Sequence, residues 1–223
     1  MLLFTAAAPP FMKNGFVLAC ERTREAVLID PGDEVGDLLA VIAEHQLKVT
    51  AILLTHAHLD HVSGVGRAVR ALGAPVWLHR DDQPLYERAA AQGVMFGLRI
   101  EQPPPVDHYY EGDGPWGRFG DYAVSVHHTP GHCPGGVCLA VTRVAEPAGL
   151  EGLFVGDTLF AGSIGRTDLP GGHYETLMRS ITEVLFRFPD EAAVFSGHGP
   201  ATTIGRERST NPFVQEWLAQ RGR

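Results

Sequence analysis

Cysteine is scarce in this chain: Cys20, Cys133 and Cys138 are the whole supply in 223 residues. Three thiols, an odd number, cannot form a disulfide framework, so the expectation is reduced side chains and a cytoplasmic location. Long hydrophobic runs are also missing. No segment approaches the ~18 apolar residues of a membrane span. The opening "MLLFTAAAPPFMKNG" lacks the basic start of a secretion signal and is broken by Pro9 and Pro10. Positive charge is in deficit, with 18 Lys and Arg against 26 Asp and Glu and a formal net charge of -8. Such a surface repels polyanions, which disfavours nucleic acid as a partner. Solenoid repeats are absent, and the only compositional tract is a short proline cluster. What remains is ordinary globular composition, 44% hydrophobic and 20% charged, enough to bury a sizeable core. One domain over residues 1–223 is expected, with no separate C-terminal substrate domain.

Hydrophobic patterning divides much of the chain into alternating strands and helices. "NGFVLAC" and "AVLID" read as a hairpin, and Val35 to His45 carries apolar residues at helical spacing. "TAILLT" reads as a buried strand, so Thr55 to His61 follows a strand end. Val65, Ala68, Val69 and Leu72 form a helical face closed by Gly73, before the strand-like "VWLH". Residues 93–118, rich in Pro and Gly, read as a long surface loop or lid. "YAVSVHH", "GVCLAV", "GLFVGD" and "AAVFSGHG" read as strands, and "HYETLMRSITEVLFRF" as one helix striped by Leu177, Ile181, Val184, Leu185 and Phe188.

The chemistry concentrates in "THAHLDH", residues 55–61, where three histidines and an aspartate share seven positions of a chain with 11 histidines in all. Neutral imidazole offers a lone pair, so clustered histidines suit a divalent metal of borderline softness. His56 and His58 can aim at one ion while Asp60 and His61 turn to a second. Further donors occur where strands give way to Gly-rich turns: His132 in "TPGHCPGG", Asp157 in "FVGDTLF" and His198 in "SGHGP".

In their order, "THAHLDH", "TPGH", "GDTLF" and "SGHG" resemble the motif series of the metallo-β-lactamase superfamily, over roughly Gly15 to Pro212. "GDTLFAGSIGRTDLPGG" and "TTIGRERSTNPF" are most similar to its glyoxalase II-like (hydroxyacylglutathione hydrolase-like) hydrolases. The resemblance implies an α/β fold, the αββα four-layer sandwich of two sheets face to face with outer helices. It implies two divalent metal ions, zinc first with iron or manganese as alternatives. His56, His58 and His132 would hold one, Asp60, His61 and His198 the other, and Asp157 would bridge them. Asp60 and Asp157 are thereby the candidate catalytic carboxylates. Two ions ~3.5 to 4 Å apart can acidify water into a hydroxide nucleophile and polarise a carbonyl. A thiolate, whose conjugate acid has a pKa of about 8.5, leaves without a strong general acid. The expected reaction is therefore hydrolysis of a small hydroxyacyl or acyl thioester. Persulfide dioxygenases share these motifs with a single iron and are the main alternative. β-Lactamases and ribonuclease Z-like phosphodiesterases fit less well, given Asp157 and the acidic balance.

Other residues carry weaker signals. Arg166 could meet a substrate carboxylate through its planar fork or pair with Asp168. Glyoxalase II proper adds a C-terminal helical portion that helps hold glutathione, whereas only a short tail follows His198 here. Met95 and Phe96 are expected to pack within their loop rather than meet an acyl group. His128 is expected near the site, either supporting it or packed in the core, and Cys133 is expected to be a small buried group. Arg206, Glu207 and Arg208 are expected to form a solvated helix start.

Overall fold

A computed structural model describes residues 1–110 and 112–221. Its first half supplies six strands: β1 (Leu2–Ala8), β2 (Lys13–Ala19), β3 (Glu25–Ile29), β4 (Lys48–Leu53), β5 (Val76–His79) and β6 (His108–Tyr110). They lie in sequence order, antiparallel from β1 to β3 and parallel from β3 to β6. Each parallel step needs a crossover, and α1 (Val35–Glu44), α2 (Leu59–Val62), α3 (Val65–Leu72), α4 (Gln83–Tyr86) and α5 (Ala89–Met95) fall within those crossovers. The second sheet contains β7 (Gly114–Phe119), β8 (Tyr122–His128), β9 (Val137–Arg143) and β10 (Glu146–Gly156). A small hairpin, β11 (Leu159–Phe160) with β12 (Ser163–Ile164), and the helix α6 (Tyr174–Arg179) precede β13 (Ala193–Ser196) and β14 (Thr202–Thr203). The order of that sheet is β14-β13-β10-β9-β8-β7. Two helices, α7 (Ile204–Thr210) and α8 (Pro212–Arg221), end the described chain.

Alternation along the strands decides the layering, because successive side chains leave opposite faces. On β2, Val17 and Ala19 join the cluster under α1 and α3, while Phe16 and Leu18 join the one between the sheets. On β9, Leu139 and Val141 face the inter-sheet seam, and Cys138 and Ala140 face Leu177, Ile181 and Trp217 of the outer helical layer. Three apolar seams therefore separate four layers, the αββα sandwich that the motifs implied.

Local expectations fared unevenly. Gly73 ends α3 in the left-handed conformation, φ 63°, where a side chain would be strained. The stretch 93–118 is not one long loop: α5 runs to Met95, and β6 and β7 bring order to its second half. Pro115 obscured β7 in the sequence, yet β7 is an edge strand with a register shift between Pro115 and Gly117. Proline costs no ladder bond in such a place. Met95 and Phe96 are not packed: they are 84% and 57% exposed. The helix expected through Phe188 is regular only to Arg179, then widens into a π-turn over Ser180–Val184 and tightens over Leu185–Arg187. Thr182 Oγ donates to the Met178 carbonyl at 2.7 Å within that turn, a local bond that competes with regular helix.

Glu207 is the clearest reversal. Instead of being solvated, it is fully buried and accepts hydrogen bonds from Gly162 N, Thr202 Oγ1 and Asn211 Nδ2. Asn211 Nδ2 also donates to the Ser163 carbonyl at 2.9 Å. The "TTIGRERSTNPF" segment thus clamps the β11–β12 hairpin, which follows directly on Asp157. The buried carboxylate is tolerated because its oxygens are satisfied by donors.

Candidate metal centre

The carboxyl ends of β3, β4 and β5 in one sheet, and of β8, β10 and β13 in the other, open onto one edge of the sandwich. All seven residues singled out as metal donors follow the ends of β4, β8, β10 and β13, Asp60 and His61 within the short helix α2 and the other five on the turns. His56, His58 and His132 each bring a ligand atom within 4.8 Å of the others, and Asp60, His61 and His198 do the same. Asp157 lies between the groups. Its Oδ2 is 3.7 Å from His132 Nε2 and 3.5 Å from His198 Nε2, and its Oδ1 is 3.4 Å from His61 Nε2. His198 Nε2 is 3.1 Å from Asp60 Oδ2. Gly197 lets these groups meet, since a side chain there would overlap the Asp157 carboxylate and the His61 ring.

The outward-facing nitrogens are already engaged. His61 Nδ1 lies 2.9 Å from Asp30 Oδ2, His132 Nδ1 lies 2.8 Å from the Arg166 carbonyl, and His56 Nδ1 lies 3.1 Å from Thr55 Oγ1. Such partners fix the tautomer and leave the opposite nitrogen free to ligate. Accordingly His56 Nε2, His61 Nε2 and Asp157 Oδ1 are buried without any hydrogen-bond partner. Buried polar atoms are seldom left so, and here three of them face one another. The donor set, imidazole and carboxylate, suits divalent cations.

Asp30, which the sequence showed only as the last residue of the strand-like "AVLID", anchors this edge. It takes a left-handed conformation, φ 47°, and accepts Thr55 N at 2.7 Å and Thr55 Oγ1 at 2.5 Å besides its contact with His61. Beneath it Lys13, fully buried, donates to the Asp30 carbonyl and to Glu34 Oε1 at 2.6 Å. A carboxylate at a strand end was the available signal for Asp30. Nothing comparable marked Lys13.

Charge differs between the two groups. Burial lowers the pKa of His58 to about 4, helped by the neighbouring His132. Burial and the surrounding imidazoles push His56 well below its ordinary value. For His61 burial also disfavours the cation, but Asp157, Asp60 and Asp30 outweigh it and raise the pKa to about 10. His198 is raised in the same way, against its burial, by Asp60 and Asp157. The carboxyls of Asp60 and Asp157 resist burial and are held low by His61 and His198.

Around the centre, Arg166 is exposed and forms a two-pronged pair with Asp168, at 2.7 and 2.8 Å. Cys133 is buried, and burial beside Asp82 raises its thiol well above the usual range. His128 Nε2 sits 2.9 Å from the Pro134 carbonyl, supporting the loop that carries His132. His79, Asp81 and His128 also gather donor atoms within 4.8 Å. The rings of His79 and His128, however, stack 4.2 Å apart at 8°. An ion between parallel rings would lie outside both planes, where imidazole nitrogen has no lone pair. We read that trio as a structural stack.

A two-sheet sandwich with a histidine and aspartate cluster at its strand ends defines the metallo-hydrolase class of αββα proteins. Residues 8–198 match the family model described as the metallo-beta-lactamase superfamily, and the chain belongs to that superfamily. It is 37% identical to hydroxyacylglutathione hydrolase GloC of Haemophilus influenzae, over 86% of this chain and 88% of the relative. Among solved structures it is similar to TTHA1623 in a di-iron-bound form, at 44% identity and a TM-score of 0.80, covering 94% of this chain and 99% of that one. It is also similar to the B3 metallo-beta-lactamase BLEG-1, at 37% identity and a TM-score of 0.85, covering 96% and 99%. Likeness to ETHE1 from Myxococcus xanthus is lower, 26% identity and a TM-score of 0.77, covering 95% and 84%.

Proposed function

We propose that the protein is a dinuclear metal-dependent hydrolase of glyoxalase II type, acting on small hydroxyacyl or acyl thioesters. One observation carries the reading: two three-residue donor groups joined by Asp157, with partnerless buried atoms of His56, His61 and Asp157 turned to their common centre. His56, His58 and His132 would hold one cation, Asp60, His61 and His198 the other, and Asp157 both. Two divalent cations supply Lewis acidity and an acidified water when bound. Zinc suits these donors, as do iron and manganese. The likeness to GloC supports thioester chemistry, and that to the di-iron form of TTHA1623 supports a two-ion centre.

The chain's own contribution is orientation and charge. Asp30, Thr55 and the Arg166 carbonyl occupy the Nδ1 atoms of His61, His56 and His132, so each ring presents Nε2 inward. Asp60 and Asp157 stay ionised despite burial and supply the negative charge that two cations require. His61 and His198 favour the protonated form, and each would lose its proton on ligation. With a thiolate leaving group no further strong acid is needed. For Arg166 to meet a substrate carboxylate, it must exchange Asp168 for the substrate.

The test is thiol release from S-lactoylglutathione and a panel of acyl thioesters, with a β-lactam included, alongside metal analysis of the purified protein. Two metals per chain and thioester turnover are expected. The likeness to ETHE1 sustains one other reading, an iron-dependent persulfide dioxygenase. One tightly held iron and oxygen uptake on glutathione persulfide, without thioester turnover, would establish that reading instead.

A further inference from the structure

Loops from three strand ends meet beside His56, His58 and His132, and one carboxylate links them. Asp82, three residues beyond β5, is fully buried. Its Oδ2 accepts the N–H of Ala57 at 2.9 Å, and its Oδ1 accepts the N–H of Gly135 at 2.6 Å. Ala57 lies between His56 and His58, and Gly135 lies three residues beyond His132. The loops leave different sheets, so Asp82 ties the imidazoles of one sheet to that of the other. The backbone adds one further link, Val137 N to the Thr55 carbonyl at 2.8 Å. Gly135 is needed for the approach, because a Cβ there would stand 2.7 Å from Asp82 N and 2.9 Å from its Cγ.

We propose that Asp82 is a positioning residue that presets the His56–His58–His132 group before a cation arrives, and leaves the Asp60–His61–His198 group to other supports. The inference rests on reading these side chains as a metal centre. Two of the three imidazoles sit on one loop, which could otherwise swing away from the third. The clasp removes that freedom in advance, so a cation meets spaced donors and less binding energy goes into ordering them. Asp82 spends both oxygens on these amides and belongs to neither donor group, so its part is that of a support rather than a ligand. Asparagine cannot replace it: its single oxygen would satisfy one N–H while its amino group confronted the other. The second group has a separate anchor, Asp30 on His61, and is outside the reach of the clasp.

Two measurements test this. In the metal-free protein, hydrogen exchange at Ala57 and Gly135 is slow, and Asp82→Asn makes at least one of these amides fast. Zinc titration against a competing chelator gives two equivalents in the wild type. In Asp82→Asn one equivalent weakens by about 10- to 100-fold, the scale for lost partners of metal ligands, and the other keeps its affinity. Gly135→Ala disturbs the clasp from its other side and gives the same one-sided loss, which keeps the test available if Asp82→Asn fails to fold. Fast exchange of both amides in the metal-free wild type overturns the role. So do two unchanged equivalents in both variants, and so does equal weakening of both equivalents. A wild type that takes up no zinc, yet keeps both amides slow, defeats the metal-centre reading itself and the positioning role with it.

Discussion

The two halves of the centre are made of different materials. His56, His58 and His132 surround one another, and burial holds His58 neutral down to a pKa of about 4. His61, just as deeply buried, is raised to about 10 because its neighbours are Asp157, Asp60 and Asp30. The same residue type therefore takes opposite charge preferences within one site, decided by whether imidazoles or carboxylates face it. In the first half His56 and His58 offer lone pairs at neutral pH. The second is an ion cluster that must release protons before a cation can take their place.

The largest test of this contrast is Asp157→Ala, which removes the carboxylate shared by both halves. Thioester turnover should fall by about a thousandfold, as expected when several kcal/mol of transition-state stabilisation is lost. The fold should persist by circular dichroism; unchanged kcat would dissolve the link between the halves. Next comes Asp30→Asn, which should weaken one zinc equivalent by about 10- to 100-fold. The half affected is the opposite one from that affected by Asp82→Asn, and loss of the same equivalent in both variants would erase the distinction. The third concerns pH. Below about 10 the metal-free His61 carries its proton, so zinc must displace it, and affinity at that half should rise by at least about tenfold per pH unit, with the raised His198 adding to the slope. His58 is deprotonated above about 4 and burial lowers His56 further, so neither adds a proton for zinc to displace, and the slope at the other half should be shallower between pH 6 and 9. Parallel pH slopes for the two equivalents in calorimetric titrations would count against the assignment. The smallest effect is expected from Arg166→Gln. Its fork is engaged by exposed Asp168, a kind of pair that water and salt leave weak, so KM should shift by about fivefold or less with kcat unchanged.

The donors of both halves were legible in the sequence: His56 and His58 of the first and Asp60 and His61 of the second share "THAHLDH", and strand patterns placed the donor loops at strand ends. The four layers followed from the motif order and are seen in three apolar seams built by strands such as β2 and β9. The supports were harder to read. Asp30, Asp82 and Lys13 act on residues far away in the chain, and a carboxylate beside a turn looks the same whether it caps, solvates or clasps. Glu207 shows the same difficulty: charges flanking it suggested a wet helix face, and only the folded chain reveals that its partners, Gly162 and Thr202, arrive from the β11–β12 turn and from β14. Edge strand β7 was hidden because proline and glycine argue against strands in general, while an edge position excuses them.

That buried Glu207 has a wider implication. The hairpin it secures begins two residues after Asp157, so the tail helices brace the strand end on which the two halves converge. Damage there, even in residues distant from any donor, should register as imprecise chemistry before it registers as unfolding.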